Sequence, residues 1–112
     1  SCPGCYNQRG IGWLQQRSPQ NALQDLSQAL ALDPHYAQAF YNRGLAHIQL
    51  NRLEPAFQDF NRSLDLAPRH ARSYYWRGYV RMRKGDVKGA VEDHQQAVHL
   101  DPNLLYERDY TP

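Results

Sequence analysis

Residues Ala37 to His70 read AQAFYNRGLAHIQLNRLEPAFQDFNRSLDLAPRH, and this stretch decides the fold because its neighbours on both sides repeat it. Pro34, Pro68 and Pro102 stand 34 residues apart, each two positions after a leucine: Leu32, Leu66 and Leu100. The same spacing holds for Gly10, Gly44 and Gly78, and for Ala22, Ala56 and Ala90. It holds again for the ring series Tyr6, Phe40 and Tyr74, and for two charged series: Arg9, Arg43, Arg77 and Asp25, Asp59, Asp93. Several residue types locked to one period over three copies identify a repeat architecture, in which each unit buries its apolar face only against the next.

Within a unit the apolar residues recur at three and four, the pattern of amphipathic helices. Ala37, Phe40, Tyr41, Gly44, Leu45 and Ile48 mark one helix, and Leu53, Ala56, Phe57, Phe60 and Leu64 a second, with Asn51 and Arg52 as the turn. Proline cannot donate to the preceding turn and restricts the residue before it, so Pro68 ends the second helix. Six helices are expected, over about 5–17, 19–32, 36–50, 53–66, 70–84 and 87–100, with a short seventh near Asn103. Gly44 and Ala56 leave no bulk between paired helices, which predicts close antiparallel hairpins. Each arginine lies 16 residues before its aspartate, a spacing that predicts an ion pair across every hairpin.

These residues resemble three tandem tetratricopeptide repeats, covering 3–36, 37–70 and 71–104 within a single domain of 1–112, with 105–112 as a partial capping segment. Tyr-Asn-Gln-Arg-Gly, Tyr-Asn-Arg-Gly and Tyr-Trp-Arg-Gly place the chain with the Arg-Gly variety of the repeat. Ser63, His94 and Arg81 depart from the pattern. The resemblance implies an all-α, right-handed α-solenoid of three helix-turn-helix hairpins, with a concave groove lined by the first helices. It implies a non-catalytic scaffold that binds a protein or peptide partner there. Carried onto this sequence, the groove positions are Asn7, Gln8, Ile11 and Leu14, then Gln38, Tyr41, Asn42, Leu45 and Ile48, then Arg72, Tyr75, Trp76, Tyr79, Met82 and Arg83. Rings and arginine carry binding energy in compact patches, so Tyr75, Trp76 and Tyr79 read as ligand contacts. The competing reading makes them filling between hairpins. Chaperone-binding members hold carboxylates in a clamp of lysine, asparagine and arginine. Arg72 falls on one clamp position, whereas Asn7, Ile11, Leu45 and Trp76 occupy others, so an acidic chaperone tail is disfavoured.

The stretch 70–84 contains Arg72, Arg77, Arg81, Arg83 and Lys84 and no acidic residue, which suits an acidic partner. The alternative is a solvated face with Arg81 answered by Glu107 or Asp109. Single-stranded RNA on this basic, aromatic unit and self-association through the terminal hairpin faces are the other two readings. A net charge of +2 is too mild to argue for nucleic acid by itself. With 112 residues, 41% hydrophobic and 21% charged, the chain fits one soluble core and excludes a disordered tail or a disulfide scaffold. No apolar run suffices for a membrane span and no leader is visible, and a start at Ser1 reads as an excised domain or processed product. The compartment is unmarked, and cytoplasm is the base-rate expectation.

Cys2-Pro3-Gly4-Cys5 reads as a frayed end with ordinary thiols, or as half of a metal site completed elsewhere. The five histidines form no catalytic set, and neither a phosphate loop nor a nucleophile elbow occurs. No enzyme activity, metal or cofactor is expected.

Overall fold

The computed structural model describes residues 2–106. The helices are α1 (Pro3–Gln15), α2 (Pro19–Leu32), α3 (Ala37–Gln49), α4 (Leu53–Leu66), α5 (Ala71–Arg83) and α6 (Val87–Leu100), followed by a short 3-10 helix, Pro102–Tyr106. Each odd-numbered helix pairs with the next as a hairpin, and α2 against α3 and α4 against α5 stack the hairpins into an α-solenoid of 40 × 24 × 23 Å. No strand occurs among the described residues.

Local chemistry sets the helix ends. Pro3 and Pro19 occupy first-turn positions, where a missing N–H costs nothing and the fixed φ already suits a helix. The turns inside the hairpins pass through a left-handed residue at one register, with φ of 57° at Arg17, 57° at Asn51 and 88° at Gly85. Only the third copy uses the residue that adopts this conformation without strain.

Close packing follows from the small residues. A Cβ on Gly44 would lie 2.8 Å from the Phe60 ring, and one on Gly10 would lie 2.7 Å from Leu26, so these glycines let the partner helix approach. Ala22 and Ala56 are fully buried in the same hairpins. One core cluster runs through the molecule from Leu14, Leu26 and Phe60 to Val80 and Leu104. A smaller one of Ala29, Leu30 and Ala39 seals the first two hairpins.

Candidate functional site

The first helices are tied to one another by buried amides. Asn7 Nδ2 donates to the Tyr36 hydroxyl at 3.2 Å, and Asn42 Nδ2 donates to Asn7 Oδ1 at 3.0 Å. Gln49 Nε2 donates to the Leu14 carbonyl at 3.1 Å, which fixes α3 against α1. Toward α5, the Tyr41 ring packs 4.7 Å from His70 and 6.0 Å from Phe60. Burial pushes the Tyr41 hydroxyl up to about 12, while the Arg72 charge and a hydrogen bond with Trp76 act in the opposite sense. Trp76 stands edge-on between Tyr75 at 5.3 Å and Tyr79 at 5.5 Å. Arg83 Nη1 donates to the Tyr79 hydroxyl at 2.6 Å, and its Nη2 reaches Asn51 Oδ1 at 3.2 Å.

Of the fifteen residues assigned to the groove, Gln8 is exposed, Ile11 half-buried and Leu14 buried, and the other twelve divide sharply by exposure. Gln38, Arg72, Met82 and Arg83 are exposed, and Tyr41 and Tyr79 are half-buried. Asn7, Asn42, Leu45, Ile48, Tyr75 and Trp76 are buried. The expectation that Tyr75 and Trp76 present ligand contacts is therefore corrected: they are 2% and 4% exposed and belong to the core. Asn7 and Asn42 spend their amides on each other and on Tyr36, so they hold α1 and α3 in register. Ile48 and Met82 are corrected as well. They share the 34-residue register of Leu14, and this position faces the next hairpin, which covers Leu14 and Ile48 but leaves Met82 on the end of the stack.

The arginine and aspartate series pair as the spacing predicts, each through two hydrogen bonds. Arg9 meets Asp25 at 2.7 and 2.7 Å, Arg43 meets Asp59 at 2.9 and 2.9 Å, and Arg77 meets Asp93 at 2.9 and 2.8 Å. The hydrogen bonds from Arg9, and secondarily from Trp13, hold the Asp25 carboxyl below its ordinary range despite burial. A third series escaped the sequence reading. Trp13 Nε1 lies 2.9 Å from Asp25, His47 Nε2 lies 3.6 Å from Asp59, and Arg81 Nη1 lies 3.1 Å from Asp93, all at one repeat position. The period alone would have found it, but three different residue types disguise it.

The basic stretch is largely consumed by these contacts. Arg77 and Arg81 serve Asp93, Arg81 also reaches Asp86 at 3.7 Å, and Lys84 meets Glu54 at 2.5 Å. Glu107 and Asp109, considered as partners for Arg81, lie outside the described residues. The reading of the N-terminus is also corrected. Cys2 caps α1, its Sγ accepting from the Cys5 N–H at 3.1 Å, and the two cysteines form a disulfide. Pro3 begins the helix there, so this end is neither frayed nor a pair of free thiols. Among the described residues no cluster could hold a metal ion.

A tetratricopeptide repeat profile matches residues 9–71 and again 58–104. The chain belongs to the tetratricopeptide repeat (TPR) family. No curated protein matches it. Solved structures with the same TPR fold include MamA, at 22% identity with a TM-score of 0.86 over 92% of this chain and 60% of that one. The first TPR of Spaghetti (RPAP3), bound to the HSP90 peptide SRMEEVD, has 22% identity and a TM-score of 0.86, covering 90% of this chain and 80% of its own. The Arabidopsis OM64 TPR domain has 22% identity and a TM-score of 0.87, covering 90% and 84%. The chain thus spans less than two thirds of MamA and most of the two isolated domains. No helix among the described residues is long and apolar enough to cross a membrane.

Proposed function

We propose that this TPR domain is a non-catalytic scaffold that docks a partner peptide along α3 and α5, and that the peptide carries both an apolar side chain and a carboxylate. The observation behind this reading is the pairing of exposed polar heads with half-buried rings: the Arg72 charge acts on Tyr41, Arg83 donates to the Tyr79 hydroxyl, and Gln38 is exposed on the same helix as Tyr41. The rings supply apolar contact, and Arg72, with the N–H groups of Arg83 that Tyr79 and Asn51 leave over, supplies charge-assisted hydrogen bonds that orient an acidic group. The buried Asn7–Asn42 link and the Trp76 packing hold this surface rigid, so little ordering entropy is lost on the protein's side. Structural neighbours of the same fold bind a short acidic peptide, which supports the class of partner. The RNA reading loses support because Arg77 and Arg81 already serve Asp93.

Selection from a display library of random dodecapeptides tests the proposal. Enriched sequences should carry an acidic residue near an aromatic or aliphatic one, and Arg72→Ala should weaken them about tenfold by fluorescence anisotropy, in line with one charge-assisted contact. Equal affinity for the parent and for the Arg72→Ala, Arg83→Ala double variant would refute the assignment. The neighbour's peptide SRMEEVD should bind weakly, because Ile11 and Leu45 supply no polar group for its carboxylates and the buried Trp76 spends its indole N–H on Tyr41.

A further inference from the structure

The outer face of the third hairpin repeats a surface that the first two hairpins bury. Met82 is 49% exposed, whereas Ile48 and Leu14 at the same register are 8% and 6% exposed. Val91 is 47% exposed, and an open depression of about 370 Å³ lies among Met82, Ala90, Val91, His94 and Gln95. The two internal junctions define what fills such a face. The incoming helix brings a small residue, Ala39 or Ser73, and seven positions later Ala46 or Val80, all fully buried. Between them an arginine donates backward: Arg43 Nη1 to Ser27 Oγ at 3.5 Å, and Arg77 Nη1 to Asn61 Oδ1 at 3.0 Å. Ten positions after the small residue comes a long polar side chain, Gln49 on the Leu14 carbonyl or Arg83 on Asn51 Oδ1.

Helix α1 carries the same four features outward. Cys5, here carrying the disulfide to Cys2, and Gly12 take the small positions, Arg9 the cation and Gln15 the long polar one. The Arg9 side chain is 63% exposed, against 26% for Arg43 and 17% for Arg77, and a Cβ on Gly12 would meet nothing within 4 Å. The acceptors at matching register on the third hairpin are Gln95, in line with Ser27 and Asn61, and the Met82 carbonyl, in line with that of Leu14. We propose that α1 of a second copy seats on the outer face of α5 and α6, so that copies of this chain stack head to tail as its own hairpins do. Leu105 and Tyr106 stand at the register of Pro3 and Gly4 and must be turned aside by the incoming helix, which makes the contact weak and concentration-dependent. The two patches differ, so the contact is heterologous and cannot form a two-fold dimer; because it continues the stacking step of the chain's own hairpins, it builds open chains.

Sedimentation velocity of the full chain from about 10 μM to 1 mM tests this, a range that reaches millimolar dissociation constants. The mean mass should climb past two chains without a plateau. Gly12→Lys blocks the head and Val91→Lys blocks the tail, both at positions open to solvent, and each alone should weaken association at least tenfold. Mixed together, the two variants keep one good end each and should form pairs that grow no further. A mass fixed at 13.0 kDa at every concentration, a plateau at two chains for the parent, or no pairing in the mixture would each overturn the proposal.

Discussion

The two internal junctions share one backbone arrangement and differ in chemistry. Between the first and second hairpins Ala29, Leu30 and Ala39 make a dry contact, with Tyr36 at its edge. Between the second and third, Ser63, Leu64 and Ser73 hold the same register, and His70 replaces Tyr36. There Ser63 Oγ and Ser73 Oγ are 2.7 Å apart, and Ser73 Oγ is 2.7 Å from His70 Nδ1. An alanine pair and a serine pair fit the same gap, but the serine pair is stable only while its hydrogen-bond chain stays complete. One end of that chain can take up a proton.

The largest effect should come from filling the gap. Ala39→Leu forces extra methylenes into a fully buried site and should cost about 1–3 kcal/mol. Ser73→Leu should cost that and about 1–3 kcal/mol more, because it strands Ser63 Oγ and one bond to His70 Nδ1. Urea denaturation of both variants measures the gap between them; equal losses would mean that the polar chain adds nothing.

Removing the chain without changing volume is the gentler cut. Ser73→Ala should cost about 1–2 kcal/mol, since Ser63 Oγ stays buried with no partner. Adding Ser63→Ala rebuilds the alanine pair of the first junction and should recover part of that loss. A double variant as unstable as the two single losses summed would break the equivalence of the junctions.

The uneven legibility of the fold and the site has the same physical origin. The period gives the hairpins because every helix must bury one stripe, and that demand writes itself into spacing; the helices fall within two residues of expectation. The ion pairs were legible for the same reason. Exposure on α3 and α5 was not. These helices are packed by a hairpin partner on one side and by neighbouring hairpins on others, so an apolar residue can face any of three surroundings. Tyr75 and Trp76 are rings of the kind that bind ligands, yet the packing consumes them. Met82 was decipherable in principle, since Leu14 and Ile48 at its register already read as apolar, but the resemblance drew it into the groove. The Cys2–Cys5 bond depends on a helix beginning at Pro3, which no periodicity marks.

The smallest effect, and the one most specific to the comparison, is the response to acid. Burial, and then the nearby Arg72 charge, lower the His70 pKa below its ordinary value. The ring faces Tyr41 on α3, caps the N-terminus of α5 and accepts from the Ser73 N–H at 3.2 Å, so a proton on Nδ1 would remove an acceptor and add charge at a positive helix end. A depressed folded pKa means that the neutral form is the one folding prefers. Its stabilisation is complete above the unfolded histidine pKa of about 6.5 and is lost as pH falls below it. His47, also lowered by burial though opposed by Asp59, contributes a loss of the same sign. His70→Tyr gives the second junction the residue of the first and should flatten the fall in urea midpoint between pH 7.5 and 5, leaving only the His47 share. If the slope is unchanged in His70→Tyr but vanishes in a His47 variant, the acid response belongs to the second hairpin's Asp59 contact and not to the junction.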